Sequence, residues 1–399
     1  MDSNLVYVII DALRWPQGGI KYRRHRLARF LARQKETELV LWVYPVSASP
    51  RKRGSYKEAV KELRNKFCNA TGEEKIVECG LPDLVPGRYM LFKSGFAHPA
   101  LNRLKVYLDR YRAKKILLFT YPAFPYLGGL MNWDKIIYDC SDLWLEPSGG
   151  SRSNTFSAKL AGRLIDSAES RIIRKSDLVF ASSVFLAASI RSRTGQQAII
   201  VENGVDLAYF KEIGSERLNL LNQITPPRLG YVGAMRSKID FELLGELAQS
   251  NPGWNIVLVG PDCLNRKEAF NHLLQIDNVF WTDEIEQELI PSCIRSLDVG
   301  LLPYRELDYN KAVFPIKFYE YLSQGIPVVG CGIPSTAQYS QEGTYLHVER
   351  EKFVEACRRV LSWPSDDQDP LTISRINMAR AAGWENKLSF MVEKIRERL

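Results

Sequence analysis

Short apolar runs alternate with longer amphipathic segments along most of the chain. In the first half these runs are rich in Val, Ile and Leu, and they lie at residues 5–10, 39–44, 116–121, 135–138, 178–181 and 198–201. Parallel strands that are covered on both faces of a sheet have this composition. Apolar residues recur at helical spacing between them, at residues 20–34, 56–67, 100–111 and 157–174. The alternation predicts repeated βαβ units and therefore an α/β fold.

This rhythm breaks over residues 209–228, a polar stretch that ends in Thr225-Pro226-Pro227, and then begins again. The second series has apolar runs at residues 229–232, 256–259, 279–281, 299–302 and 328–329, and helical periodicity at 241–249, 267–275, 286–295, 316–323 and 351–361. We predict two doubly wound domains and a final helix that returns towards the first domain. The predicted boundaries are 1–208 for the first domain, 209–228 for a linker, 229–382 for the second domain and 383–399 for the helix.

Composition narrows the class of protein. The 399 residues are 45% apolar and 25% charged, which excludes a disordered or low-complexity chain. Seven cysteines without a C-x-x-C pair, and four histidines without ligand spacing, argue against a disulfide framework and a metal site. We therefore expect a reducing, cytoplasmic compartment and no protein-bound metal. The apolar runs are too short for a membrane span, and residues 5–10 lack the basic lead-in of a signal peptide.

Positive charge is concentrated at the start of the chain. Residues 1–115 hold 24 basic and 11 acidic residues, whereas residues 207–399 hold 21 basic and 26 acidic ones. Residues 21–35 contain seven basic residues and no acidic residue. A basic face of this kind suits an anionic surface, either phospholipid or nucleic acid, and a solvated helix face is the alternative.

Two glycine-containing turns are candidates for phosphate binding. Gly18 and Gly19 follow the first predicted strand and precede a basic helix, where backbone N–H groups can approach a phosphate; a plain turn is the alternative. Gly233 occupies the same position in the second domain, followed by Arg236 and Lys238. Those two cations could grip a diphosphate, or they are simply exposed charges on a loop.

A cation and a carboxylate lie one turn apart in the predicted helix at residues 316–323. Pro315 can start this helix and Gly325 can end it, so Lys317 and Glu320 share one face. Such a pair can contact the phosphate and the ribose hydroxyls of one nucleotide. An ordinary ion pair within the helix is the alternative.

Two aspartates close the predicted strand at residues 135–138. Asp139 and Asp142 lie at its carboxyl end, which is the edge where open α/β sheets bind ligands. Either carboxylate could act as a general base if a binding site tuned its pKa towards neutrality. Helix-capping or turn aspartates are the alternative.

The ordered set of motifs resembles the GT-B glycosyltransferases, especially family 4, and most closely the teichuronic-acid and exopolysaccharide members. The resemblance runs from the Gly18-Gly19 turn to Trp384-Glu385, through residues 202–206, 233–238, 257–261, 298–304 and 317–329. It implies two Rossmann-like domains that face each other across a cleft. It also implies a nucleotide-sugar donor, with UDP as the expected nucleotide, held by the second domain, and an acceptor held by the first.

The resemblance assigns expected roles to individual residues. Glu320 would bind the ribose hydroxyls, and Gly18 and Gly19 would border the donor sugar. The remaining expected donor-binding residues are Gly233, Arg236, Lys238, Tyr304 and Lys317, with the cations on the diphosphate. One position departs from the family pattern, because family 4 has a second glutamate eight positions before the one at Glu320, and Ala312 stands there.

A second similarity concerns the reaction's stereochemistry. Residues 138–144 and Ile316-Lys317 are similar to the xanthan-pathway β-glucuronosyltransferase, an inverting GT-B enzyme, and its base carried over to this chain is Asp142. Inversion needs a base on the acceptor hydroxyl and cations on the leaving diphosphate. Retention by a front-face route needs no such base, and both routes remain open.

The resemblance also implies a role for the basic residues near the start of the chain. We expect a surface that holds the enzyme peripherally on anionic lipid at the inner face of the plasma membrane, within reach of a lipid-linked acceptor. Its expected residues are Lys21, Arg23, Arg24, Arg26, Arg29 and Arg33, joined by residues 51–53. The competing hypotheses are a sugar-nucleotide epimerase and a nucleic-acid-binding or scaffold protein; a glycosyltransferase needs no nucleic-acid partner.

Overall fold

A computed structural model describes residues 4–16, 22–47, 68–83, 98–144, 156–212, 221, 223–264, 268–364 and 366–399. The predicted helix at residues 56–67, the turn glycines Gly18 and Gly19, and the basic positions Lys21 and 51–53 lie outside these ranges. The chain divides into two compact units. The first unit contains residues 1–145, 152–201 and 388–399, and the second contains residues 146–151 and 202–387.

The first unit is built on an eight-stranded sheet in the order β3-β4-β2-β1-β5-β6-β7-β8. Its strands are β1 (Leu5–Ile10), β2 (Thr37–Ser47), β3 (Cys68–Ala70), β4 (Ile76–Asp83), β5 (Lys114–Phe119), β6 (Lys135–Cys140), β7 (Leu178–Ala181) and β8 (Ile199–Ile200). All neighbours are parallel except β3, which runs antiparallel to β4. Every residue of β1 is buried, as the unbroken apolar run Leu-Val-Tyr-Val-Ile-Ile predicts for a central parallel strand.

Helices connect these strands, as expected of βαβ units. They are α1 (Arg23–Ala32), α2 (His98–Leu108), α3 (Phe156–Lys175) and α4 (Val184–Thr194). Consecutive strands β1 and β2 lie on one side of the β1–β5 junction, and β5 to β8 extend from the other side. The sheet therefore reverses its winding between β1 and β5, and ligands of open α/β sheets bind outside the carboxyl ends of the strands at such a point.

The second unit is built on a six-stranded sheet in the order β11-β10-β9-β12-β13-β14. Its strands, all parallel, are β9 (Arg228–Val232), β10 (Asn255–Val259), β11 (Val279–Trp281), β12 (Val299–Pro303), β13 (Val328–Cys331) and β14 (Tyr345–His347). This sheet reverses its winding between β9 and β12. The two mainly parallel sheets confirm the predicted α/β class.

The helices that follow β8 are α5 (Leu207–Glu212), α6 (Phe241–Ser250), α7 (Glu268–Leu273), α8 (Ile290–Arg295), α9 (Asp308–Ala312), α10 (Ile316–Ser323), α11 (Phe353–Val360), α12 (Pro370–Ala381) and α13 (Trp384–Arg396). Of these, the sequence pattern did not predict α5, α9 and α12. Residues 209–212 of the predicted linker belong to α5. In the part of the chain that the structure describes, no helix is both long and apolar enough to span a membrane.

The last helix, α13, begins in the second unit and continues in the first. Met391, Val392 and Ile395 are buried within the first unit. Arg396 forms an ion pair with Glu36, and the Lys114 ammonium donates to the Leu399 carbonyl at 2.9 Å. Residues 388–399 are therefore part of the packing of the first unit.

Candidate functional site

The loop after β9, at the point where the second sheet reverses its winding, brings Gly233 and Lys317 together. The Gly233 N–H donates to the Val259 carbonyl at 2.7 Å, and Gly233 has a φ of 149°, in the region that favours glycine. A Cβ at this position would lie 2.0 Å from Cε of Lys317. The lysine side chain therefore lies directly against the backbone of this loop, and only glycine leaves room for it.

Two buried tyrosines lie beneath this lysine. Nζ of Lys317 is 5.6 Å from the centroid of the Tyr231 ring, and Tyr231 is hydrogen-bonded through its side chain to Tyr304. Burial raises the pKa of both phenols, so both stay protonated. The charge of Arg236 lowers the pKa of Tyr231, the charge of Lys317 lowers that of Tyr304, and the charge of Glu320 raises both. All three charges therefore act on this tyrosine pair.

Lys238 lies near the second tyrosine of this pair, Tyr304. Its Nζ is 5.4 Å from the ring centroid of Tyr304 and 5.6 Å from that of Tyr309. Cation–π attraction of this kind contributes about 0.5–2 kcal/mol and holds the ammonium near the rings. The predicted donor-binding residues Gly233, Arg236, Lys238, Tyr304, Lys317 and Glu320 therefore lie near one another at the winding reversal.

Asn310 joins the loop after β9 to the loop after β12, and the sequence analysis did not single it out. Its Nδ2 donates to the carbonyls of Lys238, at 3.1 Å, and Arg305, at 2.8 Å. The Arg305 N–H also donates to the Lys238 carbonyl at 3.0 Å. Asn310 is completely buried, on the short helix α9. Helix α9 has only five residues of mixed polarity, which is too short for a periodic pattern. No sequence pattern therefore indicated that this amide would be buried.

In the first unit, the structure separates the two candidate aspartates. Asp139 is buried, and its carboxylate accepts two hydrogen bonds from the Arg23 guanidinium, both at 2.9 Å. Asp142 is half-buried in the loop after β6, and its Oδ1 accepts from the Leu143 N–H at 2.9 Å. Ser182 steadies this loop by donating to the Ser141 carbonyl at 3.1 Å. Asp139 is therefore a structural ion-pair partner, and Asp142 is the carboxylate with access to solvent.

The same ion pair corrects the predicted membrane surface. The placement of Arg23 on that surface is wrong, because α1 directs Arg23 inward with Leu27 and Leu31, four and eight residues later. Arg24 is also mostly buried, with its Nε 2.7 Å from the buried carboxylate of Asp11. Arg29 is half-buried against Glu73, Arg26 is half-buried, and Arg33 is exposed.

Asp11 was not foreseen as part of a site, although it directly follows the first predicted strand. It lies at the carboxyl end of β1, where the first sheet reverses its winding. Its Oδ2 accepts from the Thr120 hydroxyl at 2.8 Å, and its Oδ1 accepts from the Leu13 N–H at 2.9 Å. Burial raises the pKa of Asp11, and the neighbouring Arg24 partly opposes that rise. Within the described ranges, no group of His, Cys, Asp or Glu side chains is placed to hold a metal ion.

Comparisons with known proteins show the family of the chain. The family described as Glycosyl transferases group 1 matches residues 226–362, which contain the whole Gly233 and Lys317 site. A Bacillus subtilis protein named as the teichuronic acid biosynthesis glycosyltransferase TuaH is 34% identical over 95% of this chain and 94% of its own length.

Solved structures show the same fold. Sucrose-phosphate synthase from Thermosynechococcus elongatus has a TM-score of 0.70 at 15% identity, over 99% of each chain. Anabaena HepE, whose crystal structure is a complex with UDP, has a TM-score of 0.63 at 12% identity, over 99% of this chain and 100% of its own. With two parallel α/β sheets and a relative 34% identical over nearly its whole length, the chain belongs to the GT-B glycosyltransferases of group 1, which confirms the resemblance.

Proposed function

We propose that this glycosyltransferase moves a sugar from a nucleotide-sugar donor, with UDP as the nucleotide, to a glycan or lipid-linked saccharide acceptor in cell-surface polysaccharide biosynthesis. The observation that carries the donor half is the Lys317 side chain lying against Gly233 where the second sheet reverses its winding. The name of TuaH supports the polysaccharide pathway, and the UDP complex of HepE supports the nucleotide.

The donor site follows from the charges of the second unit. Lys317, Lys238 and Arg236 offer three cations to a diphosphate, and the Gly233 loop lets phosphate oxygens approach the backbone. Glu320, one turn after Lys317 on α10, accepts hydrogen bonds from ribose hydroxyls in this proposal. The buried, uncharged side chains of Tyr304 and Tyr231 lie beneath these charges. Together these groups complement one nucleoside diphosphate.

The transfer step uses one group of the first unit. An acceptor hydroxyl oxygen forms a bond to C1 of the donor sugar while the bond from C1 to the phosphate oxygen breaks. The electron pair of that bond leaves with the diphosphate, where the cations stabilise the new charge. The proton of the acceptor hydroxyl passes to the Asp142 carboxylate, which acts as general base. This single displacement inverts the anomeric configuration.

The nucleotide is tested by thermal unfolding of the protein with UDP, GDP and ADP. A ligand that binds only the folded protein at 100 times its Kd stabilises it by about 2.7 kcal/mol, so we expect UDP to raise the Tm by several degrees. Transfer from UDP-sugars is then measured with and without a saccharide acceptor. The proposal fails if none of the three nucleotides raises the Tm. An epimerase would convert a UDP-sugar without any acceptor.

Gly233→Ala is expected to weaken UDP binding by about 10-fold or more. The new Cβ displaces Lys317, and alanine strains the backbone at a φ of 149°. Isothermal titration calorimetry with UDP measures the change. Gly253→Ala is the matched control, because a Cβ there meets no atom within 4 Å and its φ lies outside the left-handed region. Equal UDP affinity in both variants would show that Gly233 does not shape the donor site.

We also propose peripheral attachment to anionic lipid through the accessible basic side chains in and directly after α1, above all Arg33. Each cation near such a surface contributes about 1 kcal/mol, so flotation with phosphatidylglycerol vesicles is expected at low salt and lost at high salt. Replacing Arg26 and Arg33 by Ser should reduce flotation by about 10-fold or more. Arg358→Ser and Arg359→Ser, two exposed cations of the second unit, serve as the control pair. The proposed attachment would be overturned if vesicle binding were unchanged by high salt and by these substitutions.

A further inference from the structure

The segment that begins the second unit is tied to the helix that carries Lys317 and Glu320. We propose that Glu202 and Asn203 are positioning residues, which fix α10 so that its charged face meets the donor. The proposal rests on the donor site proposed above, and neither residue needs to touch the donor itself. It is carried by hydrogen bonds from the segment to both ends of the first turn of α10.

Asn203 fixes the entry of the helix. Its Nδ2 donates to the carbonyl of Phe314 at 2.9 Å, immediately before Pro315, where α10 begins. Pro315 has no side-chain hydrogen bond to cap the helix. A capping side chain accepts hydrogen bonds from the N–H groups of the first turn, whereas Asn203 donates to a carbonyl of the chain that leads into the helix. Asn203 therefore ties the backbone just before α10 to the segment that begins the second unit.

Glu202 fixes the rotation of the helix about its axis. This buried carboxylate accepts hydrogen bonds from the hydroxyls of Tyr319, at 3.4 Å, and Tyr339, at 2.5 Å. Tyr319 lies on α10 between Lys317 and Glu320, with its side chain buried while those of its charged neighbours are half-exposed. Holding the buried face of a helix by a hydroxyl fixes the direction of its opposite face.

Two further groups satisfy the same carboxylate. Gln338 Nε2 donates to Oε1 of Glu202 at 2.8 Å, and the Lys387 ammonium lies 3.5 Å from Oε2. Burial and the charge of Glu202 raise the pKa of Tyr319, and the pKa of Tyr339 rises to about 12. Both phenols therefore stay protonated as donors over the range in which the enzyme would work.

The anchoring segment is itself rigid. The Val205 N–H donates to the Ala382 carbonyl at 3.2 Å, and the Trp384 N–H donates to the Val205 carbonyl at 3.0 Å. A Cβ on Gly204 would lie 2.7 Å from the Ala382 carbonyl oxygen, so the two backbones are in close contact. The rings of Phe314 and Tyr319 stack with centroids 5.4 Å apart, so the carbonyl held by Asn203 and the hydroxyl held by Glu202 belong to residues in direct contact. Misplacement of reacting groups by about 1 Å can lower the rate by about 100-fold. We therefore expect the restraint on α10 to affect catalysis.

The test compares Asn203→Ala and Glu202→Gln with the control Asn278→Ala. Asn278 donates to three carbonyls of the second unit, those of Ala248, Asn251 and Trp254, all of which lie outside α10. Calorimetry with UDP is expected to give a Kd raised about 10-fold in the two test variants and unchanged in the control, at comparable losses of Tm. The KM for the donor should rise while the KM for the acceptor stays constant.

Amide hydrogen exchange of the protein without ligand gives a second readout. Exchange within residues 316–323 should accelerate about 10-fold in both test variants and remain unchanged in Asn278→Ala. Combining Glu202→Gln with Tyr319→Phe should give less than the sum of the single effects, because both act on the hydrogen bond between Tyr319 and the side chain of residue 202.

The outcomes separate the two proposals. If the unaltered protein binds no UDP, the proposed function fails, and exchange in residues 316–323 still decides whether the segment holds α10. Unchanged exchange, or an unchanged Kd for UDP in a folded test variant, overturns the positioning role. A Kd that rises equally in Asn278→Ala would show a general loss of stability instead.

Discussion

Asp142→Asn is expected to lower kcat by more than about 100-fold, the loss typical of a missing general base. The amide keeps the size of the side chain and can still accept from the Leu143 N–H, so the loop after β6 should keep its shape. What it loses is the capacity to take the proton from an acceptor hydroxyl. The measurement is steady-state transfer from a UDP-sugar to a saccharide acceptor, together with NMR assignment of the product's anomeric configuration.

Asp109→Asn is the matched control for this substitution. Asp109 is an exposed aspartate of the first unit that pairs with Lys105 on the surface, and its loss should change kcat by less than about 2-fold. A loss of only a few-fold in Asp142→Asn, with a product that keeps the donor's configuration, would instead assign the enzyme to the retaining route. The alanine at position 312, where family 4 has a glutamate, makes this distinction worth measuring.

Lys317→Ala is expected to reduce kcat/KM for the donor by about 100- to 1,000-fold, because one preorganised group opposite a developing charge has an effect of this size. The ammonium lies against Gly233, so no other side chain of α10 can replace it there. Glu320→Gln should mainly raise the donor KM, since a ribose contact is equally present before and during transfer. The two variants thus separate contacts to the leaving group from contacts to the nucleoside.

Lys311→Ala provides the control for charge alone. Lys311 is an exposed cation on α9 that pairs with Asp308, and its removal should leave kcat/KM within about 2-fold. If Lys317→Ala retained full activity, the second unit would not hold the donor diphosphate through α10. A loss confined to the acceptor KM would contradict the assignment in the same way.

The central parts of both sheets could be predicted from sequence because burial on both faces leaves a clear apolar signature. The strands β1, β7 and β11 and the helix α10 begin and end at the predicted residues. By contrast, β3 (Cys-Asn-Ala) and β14 (Tyr-Leu-His) each contain a polar residue, so they lack the unbroken apolar run that marks β11 (Val-Phe-Trp).

Helix α12 escaped prediction for a different reason. Its buried face includes Arg375, whose guanidinium donates to the carbonyls of Gly325, Gly343 and Pro364. A polar side chain that satisfies three backbone carbonyls occupies a core position, and pattern reasoning expects such positions to be apolar.

The positions of the candidate donor residues were predicted more closely than those of the basic residues. Lys317 and Glu320 are neighbours on one helix, so their shared face follows from local spacing alone. Arg23 and Asp139 are 116 residues apart, and only the assembled sheet shows that they form a buried pair. Charge patterning therefore predicted a surface for a side chain that a distant carboxylate holds inside.

The division of the first unit between distant parts of the chain bears on how the protein is made. Residues 388–399 complete its packing, yet the 186 residues of 202–387 are synthesised before them. At about 5–20 residues per second, a ribosome needs roughly 10–40 s for that stretch. During this interval the first unit lacks the buried side chains of Met391, Val392 and Ile395, so we expect it to complete its packing only after the second unit has been synthesised.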